Sequence, residues 1–157
     1  MAKNYTISIG NSGEYFVAAE LERRGFTAAV PMSNTKDFDI LAIYRETQRQ
    51  VALQVKTNRG KAKSWMLTKK SEDICGKDIY YVFISLNELE QPEYYIVESD
   101  LIAESMREGY KRWITDDKTG EKRHETTMRK FAFEVSEYNN CLGLKDEDFK
   151  ARWDKLK

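Results

Sequence analysis

Apolar positions follow a helical period only near the start of the chain. Glu14, Val17, Ala18 and Leu21 fall at i, i+3, i+4 and i+7 and share one helix face. Asn11 or Ser12 is placed to cap a helix over 13–24, after an N-terminal extension closed by Gly10 to Gly13, and Gly25 is placed to end it. The period then shortens to that of strands. Segments 27–30, 39–44 and 50–56 read as strands, the last two joined by a polar hairpin at 45–49. Segment 33–36 reads as loop, 58–63 as a basic loop and 64–68 as a short strand. The run from Ile79 to Leu86 is apolar at nearly every position and reads as a central strand buried on both faces. A turn at 87–92, a strand at 93–97 and a helix from Ser99 to about Gly109 follow. The remainder, with Trp113, Phe131, Phe133, Tyr138 and Trp153, reads as irregular structure ending in a short helix. This order predicts an α/β fold, a mixed sheet with helices packed on it.

Length and composition narrow the picture. The 157 residues suit one domain, with a core over about 10–110 and a C-terminal appendage over about 111–157. Basic and acidic residues balance at 26 each, so only a local patch of charge bears on a nucleic-acid partner. No apolar run is long enough to span a bilayer, and Met1 to Thr6 has no apolar signal core. Cys75 and Cys141 stand far apart, which fits neither a disulfide framework nor a zinc ligand set; a reducing cytoplasm is expected. His124 is the single histidine and sits in a polar stretch, where it reads as solvated.

The candidate chemistry lies in the paired strands. Side chains alternate along a strand, so Asp39 shares a face with Leu41 and Ile43, and Gln54 shares one with Lys56. Burying such groups without partners costs several kcal/mol. If the strands are antiparallel neighbours, one register brings Asp39 beside Gln54 and Lys56; a slip of one residue separates them. Asp37, two positions earlier, is a rival for Asp39. Glu14 points toward the same sheet from its helix. A carboxylate, an amide oxygen and a lysine are the groups that metal-assisted phosphodiester cleavage needs. Lys56, Arg59, Lys61, Lys63, Lys69 and Lys70 then fall within fifteen positions with no acid among them, a candidate grip on nucleic-acid phosphates. Trp65, in their midst, reads as a packing residue.

Three stretches together resemble the PD-(D/E)XK nuclease superfamily. They are Gly10-x-x-Gly13-Glu14-Tyr15-x-Val17-Ala18-x-x-Leu21-x-x-Arg24-Gly25-Phe26, then Phe38-Asp39-Ile40-Leu41-Ala42, then Gln54-Val55-Lys56-Thr57. The pattern is similar to archaeal Holliday-junction resolvases and restriction-type endonucleases and covers roughly the first sixty residues. The resemblance implies a restriction-endonuclease-like mixed sheet and an Mg²⁺- or Mn²⁺-dependent nuclease, with DNA as the expected substrate and a homodimer expected by analogy. Asp39 would be the metal-binding aspartate and Lys56 the catalytic lysine. Glu14 would be the helix acid, with Gln54 and the Val55 carbonyl completing the metal set. Gln54 stands where the superfamily more often has Glu or Asp.

Two other readings stay open. One keeps the fold without catalysis, as a nucleic-acid- or protein-binding module. The other is an interaction domain using Tyr80, Tyr94, Tyr95, Trp113 and Trp153.

Overall fold

The computed structural model describes residues 2–32, 38–116 and 123–157, with backbone alone for 2–6. The loop expected at 33–36 and the rival Asp37 lie outside the described residues. Helix α1 (Ala2–Glu22) leads to β1 (Phe26–Ala29), β2 (Ile40–Tyr44), β3 (Gln50–Asn58) and β4 (Ser64–Thr68). A 3₁₀ turn, Lys69–Glu72, precedes β5 (Ile79–Ser85), β6 (Glu93–Glu98), α2 (Ser99–Thr115) and β7 (Met128–Ala132). Two further 3₁₀ turns, Asp146–Asp148 and Trp153–Leu156, close the chain.

The main sheet has the order β1-β2-β3-β5-β6, and a second sheet pairs β4 with β7. Strands β3 and β5 run parallel, with Gln54 beside Tyr81 and Lys56 beside Phe83. The other pairings in the main sheet are antiparallel, and Ile40 faces Leu53 across β2 and β3. The expected α/β architecture of a mixed sheet with helices packed on it is therefore the observed one.

Each face of the sheet has its own core. On one, Val17 and Leu21 of α1 bury completely against Ile40, Leu53, Val82 and Ile96. Trp153 and Leu156 seal this core from the C-terminal end. On the other face, α2 and the small sheet cover an aromatic cluster of Trp65, Phe83, Tyr95, Phe131 and Phe133. Its rings lie about as close as aromatic pairs prefer, Phe83 to Phe131 at 5.0 Å for example. Each fully buried large apolar side chain contributes roughly 1.5–3 kcal/mol.

Three expectations need correction, two of them through glycine. The first helix begins at Ala2, so 10–13 is not its entrance; Ser12 Oγ bonds back to the Ser8 carbonyl at 2.7 Å inside it. Gly13 is there because a Cβ would stand 1.9 Å from Thr57 Oγ1, so only glycine lets the helix approach β3 this closely. The second helix runs past Gly109 to Thr115; a Cβ at Gly109 would meet the Tyr138 carbonyl oxygen at 2.0 Å. The third concerns the C-terminal region, expected to be irregular. It contains β7, and Phe131, Phe133, Phe149, Trp153 and Leu156 enter the two cores. Gly25 does end α1, in the left-handed conformation with φ +91°.

Candidate functional site

The first element of the site is the start of β2. Asp39 lies just before this strand, where its backbone N–H donates to the Leu53 carbonyl at 2.9 Å. The last β2–β3 pair is Ile40 with Leu53, so the Val55 N–H lies beyond the paired part of β2. The Asp39 carboxylate supplies its acceptor, Oδ2 at 2.7 Å. A carboxylate held by a backbone amide has one oxygen fixed and a defined direction for the other.

Lys56 follows one residue on. Its Nζ stands 3.9 Å from Asp39 Oδ2, a loose ion pair with both side chains about 30% exposed (31% and 27%). The register thus brings the expected carboxylate and lysine together on one face. Gln54 lies on that face too, buried, with Tyr81 at the matching position of β5.

Glu14 follows Gly13 on α1, at the point where the helix comes closest to β3. It is half-buried, and its carboxyl pKa is raised, first by burial and then by the Asp39 charge, with Lys56 pulling the other way. Glu14, Asp39 and Lys56 therefore sense one another's charge. Among the described residues no three of His, Cys, Asp and Glu gather as a metal-holding group. A cation here would draw on two carboxylates plus neutral oxygens such as the Gln54 amide. All of these are hard donors of the kind Mg²⁺ and Mn²⁺ take.

A cleft of about 110 Å³ opens on this face, lined by Gln54, Lys56, Leu67, Thr68, Lys70, Ser71, Ile74 and Tyr81. Tyr81 went unnoticed in the sequence because it sits within the apolar Ile79–Leu86 run. Its only signal was a phenol in a strand otherwise read as core. Burial and the Asp39 charge hold its hydroxyl in the protonated form. A larger groove of about 530 Å³ lies elsewhere, against β4 and β7. Its lining mixes Lys61, Lys63 and Lys130 with Glu134 and Asp146 and contains none of the converging groups.

The basic cluster takes a form the sequence hides. Arg59 pairs with Glu88 at 3.0 Å, Lys61 with Glu90 at 3.0 Å and Lys69 with Glu125 at 3.4 Å, while Lys63 bonds Asp146. The acids missing along the segment arrive from other elements. Lys70 instead lines the cleft. Trp65 is buried and its Nε1 donates to the Ile84 carbonyl at 3.0 Å, so it packs. Tyr80, Tyr94, Tyr95 and Trp153 are buried as well, which takes them out of any exposed interaction surface. Trp113 is partly exposed, with Arg123 over its ring. His124 is exposed. Cys75 is exposed, Cys141 is partly exposed, and both are free. No described helix is long and apolar enough to cross a membrane.

No protein-family model matches the chain, and comparison with curated proteins finds no match. Among solved structures, the fold is similar to that of a bacterial homing endonuclease, I-Ssp6803I. The TM-score is 0.52 at 10% identity, over 93% of this chain and 86% of that one. Hjc, a Holliday junction resolvase from Archaeoglobus fulgidus, aligns with a TM-score of 0.47 at 14% identity, over 88% of this chain and 93% of that one.

Proposed function

We propose that this chain is a metal-dependent nuclease of the PD-(D/E)XK type that hydrolyses phosphodiester bonds in DNA. The observation that carries the reading is the pairing of Asp39 with Lys56 from neighbouring strands, with Glu14 of α1 within electrostatic reach of both. Lys56 lies 3.9 Å from a carboxylate that a backbone amide already orients. The likeness of the fold to a homing endonuclease supports it.

In this reading Glu14, Asp39, Gln54 and the Val55 carbonyl would hold Mg²⁺ or Mn²⁺. Such a cation supplies charge neutralisation at the phosphate and a lower pKa for an attacking water. The protein's own contribution is placement. The Val55 N–H holds the Asp39 carboxylate in place beside Lys56. Lys56, beside it, donates to the water or to a non-bridging phosphate oxygen as negative charge builds there. Burial, and then the Asp39 charge, raise the Glu14 pKa, so a cation placed between the two carboxylates would favour the ionised form of Glu14. Cleavage of both strands of a duplex would use two copies of the chain, and the two free cysteines suit a reducing cytoplasm.

Gln54 favours a second reading, a binding module without catalysis, because an amide leaves the site one negative charge short of two acids and a helix Glu. A cleavage panel of duplex, branched, single-stranded and RNA substrates, with and without Mn²⁺ and with Lys56→Ala as control, separates the two. Cleavage by the parent and not by the variant is expected. No cleavage of any form, together with no heat of Mg²⁺ binding at millimolar concentration, overturns the nuclease reading in favour of the module.

A further inference from the structure

We propose that Lys70 and the Tyr81 hydroxyl form a second phosphate grip in the cleft, holding a DNA phosphate next to the one that is cut. The inference rests on the nuclease reading and extends it to a part of the site the motif residues do not include. Four observations carry it.

Lys70 and Lys56 line the same cleft of about 110 Å³ from different elements, Lys70 from the Lys69–Glu72 turn and Lys56 from β3. The neighbouring cations Arg59, Lys61, Lys63 and Lys69 are each occupied by an acid, whereas Lys70 makes no ion pair among the described residues. The remaining polar lining, Tyr81, Ser71, Thr68 and Gln54, is uncharged, and no lining residue is a carboxylate, so the cleft suits an anion on this side. Tyr81 lines the cleft from β5, at the register position beside Gln54, and its hydroxyl is a neutral donor.

The turn that carries Lys70 is also built not to move. Arg129 is buried with its Nε 2.5 Å from Glu72 Oε1, and its guanidinium lies 3.4 Å above the Tyr110 ring. Arg107 donates to the Glu72 carbonyl at 2.5 Å, Ser71 Oγ to the Thr68 carbonyl at 2.7 Å and the Lys69 N–H to the Thr127 carbonyl at 2.8 Å. A surface lysine needs no such foundation, and a phosphate contact that sets the position of a strand does. Arg129 is thus a positioning residue, acting through Glu72.

The test measures binding of a fixed-sequence DNA duplex in EDTA over a range of salt concentrations. Each phosphate contact adds about 0.9 to the slope of log affinity against log salt. Lys70→Gln is expected to reduce that slope by about 0.9 and to weaken binding severalfold. Tyr81→Phe is expected to weaken binding with the slope kept, because it removes a neutral donor. Lys111→Gln, on an exposed position of α2, controls for charge and should change neither. Because EDTA prevents metal-dependent cleavage, this measurement is separate from the cleavage panel. A parental slope in Lys70→Gln overturns the phosphate grip even in an active nuclease. Loss of slope in a protein that cleaves nothing supports the grip while the catalytic reading falls. A parent that does not bind the duplex at all overturns the grip.

Discussion

The two faces of β3 border different surroundings. Val51, Leu53 and Val55 point into the core under α1, each at most 7% exposed. Gln54 and Lys56, interleaved with them, open onto the cleft. One strand therefore builds the core on one side and, in the proposed reading, the reaction site on the other, with a separation no larger than the pleat. The lesson is that the two functions are mutable independently, except where a residue serves both. Asp39 is such a residue, since its carboxylate is both a site group and the acceptor for the Val55 N–H.

Lys56→Ala tests the chemical face and has the largest expected effect. Single-turnover cleavage should fall by about 10²–10³, or roughly 3–4 kcal/mol of transition-state stabilisation, while thermal unfolding stays close to the parent's. Cleavage at the parental rate would detach Lys56 from the reaction. Leu53→Ala tests the opposite face. Denaturant unfolding should show a loss of about 2–5 kcal/mol, with cleavage by the folded fraction retained. Gly13→Ala tests the one point where the faces are linked. The new Cβ displaces α1 from Thr57, costing about 1–3 kcal/mol, and it moves Glu14, so cleavage should fall as well. Adding Thr57→Ala removes the obstructing hydroxyl and should restore part of both. If Gly13→Ala leaves both measurements alone, the close approach of α1 has no role in placing Glu14.

The smallest expected effect belongs to a pair remote from either face. Hydrogen bonding to Lys63 lowers the Asp146 pKa below the ordinary carboxylate range. A lowered pKa in the folded state adds stability above the unfolded value, about 3.9 for Asp, and that stability disappears as pH falls through the lowered value. Asp146→Asn should therefore melt slightly below the parent at neutral pH and together with it in strong acid. A gap that persists in acid would assign the effect to packing.

What the sequence revealed follows from the range of the forces involved. Alternation along β3 is local, so the shared face of Gln54 and Lys56 was readable in the sequence, whereas Asp39 joins it only through the β2–β3 register. The helical spacing of Glu14, Val17 and Leu21 was equally local. The two glycines misled because a close approach and a helix terminus ask for the same residue; Thr57 and Tyr138, the neighbours that explain Gly13 and Gly109, lie 44 and 29 positions away. The charge partners of the basic segment were hidden for the same reason, 29 positions off for Arg59 and 83 for Lys63. Strand β7 is short and its partner β4 is some sixty residues earlier, so nothing adjacent in the sequence announces it.

The dependence of the Lys69–Glu72 turn on Arg129 has a consequence for how the protein is made. All four motif residues have been synthesised once Lys56 is added, yet the buried guanidinium that fixes one wall of the cleft comes more than seventy residues later. During synthesis the chain therefore carries Gln54 and Lys56 well before it carries the support for the opposite wall of their cleft. That wall is held only once a distant part of the chain has folded back onto it, so the first sixty residues alone do not make the cleft.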